Sequence, residues 1–310
     1  MEHAASVSKE LERGLEAHRA WIEEQSEGSR LDLSFATLKG VNLKGRDLRM
    51  VVMKSTCLEG ANLEGAVLTG AVLANTDLRE ARLVEADLTG ADLKDANFDC
   101  ADLSQANLSE TTAATSSFQG ANLSAARFLD ARLSQCTFVK AVMKATVLQH
   151  ARLFDCDLSE ANLECGLFNH ARIRLCRFKE ARGSGAVFSY SVVENSDFRK
   201  AQLIQSKFLK ANVSGGSFSW AALANSDFRE STLRGTEFSG AVLYGARFGL
   251  ATVAGADFRG ANLAGARELT SHQMTKAWTG QDTILPSGQK GVYLKGSGAE
   301  RPMPSSLQSA

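Results

Sequence analysis

A large apolar residue recurs at every fifth position over most of this chain. The series covers residues 33–263, and only Ala113 and Gly183 among its 47 positions are not large and apolar. After the first few units, a small residue lies two positions before each of these central residues: at every fifth position over 61–266, all 42 residues are Ala, Ser, Thr, Cys or Gly. A period of five matches neither an α-helix nor a simple strand, so it predicts a solenoid.

The distribution of phenylalanine predicts how many sides the solenoid has. Over 98–258, central positions whose number ends in 8 hold Phe at fourteen of seventeen, whereas those ending in 3 hold none. This period of ten makes alternate units equivalent, so the number of sides is even. Columns at a spacing of twenty, such as Cys136, Cys156 and Cys176, favour four sides. Two opposite walls are then expected to stack Phe and fill the tube, leaving no channel.

Many of the units share one short motif. They include ADLTG at 86–90, ADLKD at 91–95, ANLEG at 61–65 and ADFRG at 256–260. These resemble the A(D/N)LXX units of the pentapeptide repeat family over about three quarters of the chain. The resemblance implies an all-β solenoid: a right-handed quadrilateral parallel β-helix with short terminal capping helices. Each unit would form one side, with its central residue and the small residue two before it pointing inward.

The chain divides into four predicted segments. They are an N-terminal capping helix at 1–30, a β-helix of about 12 coils at 31–267, a C-terminal capping helix and extended segment at 268–286, and a flexible tail at 287–310. The caps are expected because an open solenoid exposes unpaired strand edges and an apolar end. The tail is predicted to be flexible because it is rich in Gly, Ser and Pro.

Both predicted caps have sequence signals. The N-terminal helix would place on one face Leu11, Leu15, His18 and Ile22. At the other end, residues 270–273 fit a helix-starting capping box. Within the repeats, the small residues at Ala113 and Gly183 predict either local collapse of the core or, as the alternative, a hinge.

Composition narrows the class of function. Thirty-five basic and thirty-five acidic residues give zero formal net charge, which argues against direct nucleic-acid binding. The sequence contains no apolar run long enough for a membrane span and no secretory signal, so we expect cytoplasmic residence, with a secreted effector as the alternative. The six cysteines lack zinc or redox spacings, and those at 136, 156 and 176 are expected to be small core fillers.

The sequence lacks the catalytic motifs of common enzyme classes. There is no GxSxG, P-loop or HExxH pattern, so we predict no enzyme activity and no cofactor. The predicted function is a non-catalytic scaffold whose rigid walls bind a protein partner. The family resemblance implies a monomer or an end-to-end dimer through the C-terminal cap.

The same resemblance leaves two alternative functions open. Some family members mimic DNA, bind DNA gyrase or topoisomerase, and confer quinolone or toxin resistance. Others act as bacterial secreted effectors or secretion-system adaptors. The acidic surface that would support DNA mimicry comprises Asp87, Asp92, Asp95, Asp99 and Asp102. Zero net charge argues against gyrase binding, so gyrase stays the alternative partner.

One edge of the predicted tube concentrates positive charge. At a spacing of twenty, the corner and the adjoining wall carry Asp130, Arg132, His150, Arg152, His170 and Arg172. An apolar stripe on the preceding wall carries Val147, Leu167 and Val187. Like charges one strand apart are unfavourable unless neutralised, so an acidic partner is predicted here. The alternatives are a solvated surface offset by Asp130 and Asp155, or a metal held by His150 and His170.

Overall fold

The computed structural model describes residues 2–302 of the chain, with side chains from residue 9 onward. It contains two helices, α1 (Glu2–Ile22) and α2 (Ser271–Met274). The strands are β1 (Thr112–Ala114), β2 (Arg132–Ser134), β3 (Arg152–Phe154), β4 (Arg172–Arg174) and β5 (Val192–Glu194). Neither helix has the length and apolar character needed to cross a membrane.

The chain winds into coils of twenty residues. Parallel bridges join residues twenty apart, starting with Asp32 and Val52 and continuing to Arg247 and Arg267. Every fifth residue over 35–265 has a left-handed backbone, with φ between 50° and 71°. These residues form the corners, so each coil has four sides of five residues. The predicted four-sided parallel solenoid with helices at its ends is confirmed, and its right-handedness stays a prediction.

The four walls can be named from one early coil. Wall A is 31–35, wall B is 36–40, wall C is 41–45 and wall D is 46–50, and equivalent units follow every twenty residues. Walls A and C therefore face away from each other. The residues before and after each central residue point outward and form the surface of the wall.

The core is a double stack of aromatic rings. Phe198 on wall B lies parallel to Phe178 and Phe218, with ring centroids 4.4 and 4.7 Å away. It meets Phe188 and Phe208 of wall D edge to face, at 5.8 and 6.3 Å. Both arrangements are favoured by aromatic pairs. The predicted stacking of Phe on two opposite walls is confirmed.

The two small central residues leave the coil intact. A Cβ atom added to Gly183 would lie 2.8 Å from Cδ2 of Leu203, so the leucine of the next coil fills the space. Ala113 pairs in register with Leu133 and is 1% exposed. Bridges continue through Arg182 on both sides. The contacts favour local collapse of the core over a hinge.

Helix α1 packs on the first coil. Leu15 and His18 are buried, and the His18 Nδ1 atom accepts a hydrogen bond from the Leu31 N–H at 3.0 Å. An ion pair of 2.9 Å joins Glu12 to Arg46. The helix thus covers the apolar end of the solenoid, as a cap must.

Helix α2 closes the other end. The predicted capping box is confirmed, because Thr270 accepts from the Gln273 N–H while the Gln273 side chain accepts from the Thr270 N–H. The Gln273 Nε2 atom also donates to the carbonyls of Phe248 and Ala251, both at 2.9 Å. The Phe248 carbonyl also accepts from the Ala251 N–H at 3.0 Å, whereas the Ala251 carbonyl lacks the donor that a following coil would supply, and the amide takes its place.

The segment after this cap is anchored by a tyrosine. The sequence predicts flexibility from residue 287, whereas over 287–302 the chain folds back against the cap. Tyr293 is 8% exposed, and its hydroxyl lies 2.8 Å from Ser271 Oγ and 3.0 Å from Glu300 Oε2. Backbone hydrogen bonds, such as that from the Gly291 N–H to the Thr283 carbonyl, also hold the segment. The high content of Gly, Ser and Pro gave no indication of these contacts. Residues 303–310 of the predicted tail lie outside the described residues.

Candidate functional site

Wall A carries the one sheet with three-residue strands in the described part of the chain. Strands β1 to β5 are consecutive units of this wall and pair in parallel order. Other walls pair through single residues between corners. The register aligns Arg132 with Arg152 and Arg152 with Arg172. The predicted arginine column therefore lies on a continuous five-stranded surface.

The three arginines are exposed and carry uncompensated charge. No described side chain forms an ion pair with Arg132, Arg152 or Arg172, although several basic residues nearby are paired. Asp130 and Asp155, which the sequence suggested as balancing charges, make no ion pair within the described residues either. Asp155 Oδ2 instead lies 3.5 Å from the Gln135 amide.

The column arginines lack ion pairs because of the residues that flank the central side chain of each unit. In units such as Asp197 to Arg199, acid and base both point outward and pair at 2.7 Å. On wall A the outward residue two after each column arginine is Ser134, Phe154 or Arg174. The same-strand acid is missing, so the positive charges stay unpaired.

Sequence reasoning missed a hydrophobic side chain beside this arginine column. Phe154 is 49% exposed and is aligned with Ser134 on one side and Arg174 on the other. Leu175, at the next corner, is also 49% exposed. A signal existed, because of sixteen Phe only Phe35 and Phe154 lie outside the central positions. Exposed aromatic and arginine side chains together are typical of the centres of protein interfaces.

The corner beside the column carries a ladder of rings. His150 and His170 are stacked with centroids 5.0 Å apart, and Tyr190 follows at 5.2 Å. The Lys210 Nζ atom lies 5.6 Å from the Tyr190 ring centre. On wall D the partly buried stripe is also continuous, as bridges connect Val147, Leu167 and Val187. We call wall A over β2 to β4, with this corner and stripe, the arginine surface.

Metal binding by the histidine pair lacks a third ligand. Among the described residues, one group of three has ligand atoms within 4.8 Å of one another, and it consists of Cys57, Glu59 and Asp77. Its carboxylates are already paired with Lys39 and Arg79, at 2.7 and 2.6 Å. Neither place forms a convincing metal site.

The acidic residues named from the sequence encircle the tube. Asp92 lies on wall A and Asp95 at its corner, whereas walls B, C and D carry Asp99, Asp102 and Asp87 respectively. Most are held by local hydrogen bonds; Asp102 Oδ1, for example, accepts from Ser104 N–H and from the Asn122 amide, both at 3.0 Å. They form a belt and are not gathered on one face.

The three inward cysteines lie in one buried column. Cys136, Cys156 and Cys176 are at most 1% exposed and remain free thiols. The hydrogen bond with Cys156 and burial both raise the pKa of the Cys136 thiol. A protonated, buried thiol behaves as a small apolar filler.

These features define a four-sided, parallel β-solenoid repeat protein with exposed walls and two covered ends. The family model for pentapeptide repeats matches in eight copies, at residues 29–65, 56–95, 77–112, 96–133, 116–153, 126–164, 184–219 and 217–249. The chain belongs to the pentapeptide repeat family. No curated protein matches it.

Several solved structures are similar to this chain. HetL, a pentapeptide repeat protein involved in heterocyst differentiation regulation from the cyanobacterium Nostoc sp. strain PCC 7120, is 25% identical, with 81% of this chain and 92% of that chain covered and a TM-score of 0.24. A trypsin-treated variant of QnrB1, a plasmid-mediated fluoroquinolone resistance protein, is 19% identical, with 68% and 89% covered and a TM-score of 0.30. A thylakoid-lumen pentapeptide repeat protein of Arabidopsis thaliana is 22% identical, with 37% and 72% covered and a TM-score of 0.24. Since these TM-scores are low, the family assignment rests on the repeats.

Proposed function

We propose that this protein is a non-catalytic scaffold that binds an acidic protein partner through the arginine surface. The observation that supports this most is the in-register column of Arg132, Arg152 and Arg172 without acidic partners. Many surface arginines elsewhere on the tube are paired with a neighbouring carboxylate, and those without an ion pair among the described residues, such as Arg182 and Arg234, do not follow one another at a spacing of twenty residues. Three unpaired arginines on adjacent strands repel one another, and an external anion would neutralise their charge.

The energetics favour such a partner. Adjacent strands are about 4.8 Å apart, and two unit charges at that separation repel by about 1 kcal/mol in water. Long arginine side chains can point away from one another, which relieves part of this repulsion. An acidic ligand would neutralise the arginine charges and would add charge-assisted hydrogen bonds. Phe154 supplies apolar area at the centre, and the stripe on wall D extends it. A partner with carboxylates around an apolar residue would be complementary.

The alternative function of gyrase binding gains no comparable support. The acidic residues that would mimic DNA form a belt around all four walls, and the chain has zero formal net charge. A DNA mimic needs a continuous negative surface. No contact among the described residues favours a role as secreted effector or secretion-system adaptor.

The test is affinity capture with charge-reversed variants. The test variant carries Arg132→Glu, Arg152→Glu and Arg172→Glu, which leaves every inward residue unchanged. The control carries the same charge change at Arg182→Glu, Arg234→Glu and Lys276→Glu, three exposed bases outside the arginine surface. Captured proteins are quantified by mass spectrometry for wild type and both variants.

Wild type and control should capture the same acidic proteins, whereas the test variant should lose them. Capture should also weaken as salt rises, because exposed charges are screened over about 8–10 Å at physiological ionic strength. A test variant that folds and captures the same partners as wild type would show that the arginine surface is only solvated.

A further inference from the structure

The C-terminal part of wall C has no charged side chain. Its four units read AQLIQ at 201–205, AALAN at 221–225, AVLYG at 241–245 and ANLAG at 261–265. Bridges align these units directly above one another. The preceding unit of wall C, at 181–185, carries the charged side chain of Arg182. An uncharged area of this length stands out on a tube in which charged residues make up 23% of the chain.

Two aromatic rings border this area. Trp220, at the corner before wall C, is 69% exposed, and its six-membered ring covers Gly240 of the next coil: a Cβ there would lie 2.6–2.8 Å from the ring atoms. Tyr244, near the opposite corner, is 48% exposed. A Cβ atom added to Gly265 would lie 3.7 Å from Cε2 of the Tyr244 ring. Each ring therefore packs one side on a glycine and presents much of its other side to solvent.

The surface between the two rings is formed by small and apolar side chains. It is formed by Ala222 and Ala224, with Val242 beside them at 42% exposure and Ile204 at 41%. The free polar groups around it are amides, since no hydrogen bond is made by the side chains of Gln202, Gln205 and Asn225 within the described residues. We call this area the wall C trough.

We propose that the wall C trough binds a neutral oligosaccharide. The negative face of an aromatic ring attracts polarised C–H groups, which line the faces of sugar rings. Amides both donate and accept hydrogen bonds, as hydroxyl groups require. A charged ligand would find no countercharge within the four units of this part of wall C. The site thus combines apolar and aromatic surface with a few convergent polar groups, as small-molecule sites do.

The size of the trough argues against a protein partner or a second copy of this chain. Three coil spacings of about 4.8 Å and a side of five residues at about 3.3 Å each give an area on the order of 200 Å². A stable protein interface needs about 800 Å² per partner. A short oligosaccharide fits within the smaller area.

The test is a glycan array that contains neutral, sulfated and sialylated oligosaccharides. The probes are the wild type, the double variant Trp220→Ala with Tyr244→Ala, and the matched control Trp278→Ala, which removes another exposed tryptophan. Neutral glycans should bind to wild type and control, and the double variant should bind them at least about tenfold more weakly, a change of about 1.4 kcal/mol. Circular dichroism should show that all three proteins fold alike.

Three outcomes would overturn the proposal. In the first, the wild type binds no neutral glycan more strongly than the double variant does. In the second, the wild type binds only charged glycans. In the third, the Trp278→Ala control loses as much neutral-glycan binding as the double variant. A dimer seen by size-exclusion chromatography and dissociated by the double variant would instead assign the trough to self-association. The arginine-surface variant should keep neutral glycan binding, so the two proposals can fail separately.

Discussion

Truncation of Phe198 is the most direct test of the aromatic core. The ring is fully buried and contacts four others: Phe178, Phe188, Phe208 and Phe218. Phe198→Ala removes these contacts and leaves a cavity that neighbouring coils cannot fill without disturbing their own stacks. Such a change costs about 3–5 kcal/mol in a tightly packed core. We expect the upper part of this range, because aromatic pairs contribute beyond their buried area.

The matched control is Leu209→Ala, eleven residues further along the same coil. Leu209 points outward from wall D and is partly exposed, so its truncation should cost less than about 1 kcal/mol. A solenoid stabilises each coil through its neighbours and need not unfold in one step. Native-state hydrogen exchange is therefore the better assay, since it resolves the free energy of opening for each coil.

The expected result is local to three coils. Amides of the coils that contain residues 178, 198 and 218 should lose protection in Phe198→Ala, while amides near residue 58 should keep theirs. Leu209→Ala should leave the pattern unchanged. Similar losses from both variants, or a uniform loss along the whole tube, would refute the inward register of the Phe positions.

Two further predictions concern buried polar groups. Burial lowers the pKa of His18 below its usual 6.5, against the opposing effects of the Arg49 carbonyl and Asp47, while Arg30 and Arg49 add to the lowering. The folded cap therefore favours the neutral ring, so the stability contributed by His18 is present above pH 6.5 and is lost as pH falls through the lower folded pKa. Protection factors of α1 amides, which are corrected for the intrinsic exchange rate at each pH, should fall there in wild type and not in His18→Gln. Maleimide should label the exposed Cys100 and Cys165 in the native protein and the cysteines at 136, 156 and 176 only after unfolding, and fast native labelling of the buried three would contradict the core assignment.

The sequence alone predicts the coil because each inward position obeys one rule without insertions. A spacing of twenty then places Arg132, Arg152 and Arg172 in one column before any coordinates are known. The inward pattern does not record charge pairing, since that depends on the identity and orientation of the outward side chains on the same strand and on neighbouring coils. The exposed Phe154 was missed for the same reason, because it occupies an outward position that the core pattern ignores.

The wall C trough shows a second limit of the repeat pattern. Trp220 and Gly240 are twenty residues apart, so their proximity follows from the coil. That the indole lies flat over the glycine is a matter of side-chain orientation, which no period in the sequence records. Similarly, the position of Tyr293 beneath the folded-back segment depends on a tertiary contact outside the repeats.

The architecture separates the two proposed binding surfaces. Walls A and C are opposite sides of the tube, and the arginine column at Arg152 lies about four to five coils from Val242, roughly 20 Å along the axis at about 4.8 Å per coil. Between them is a core of stacked rings that outward substitutions do not touch. Substitutions this far apart without shared partners normally act independently. The variants of one surface therefore serve as folding and specificity controls for the other, because each removes outward groups from the same rigid rod while leaving the opposite wall intact.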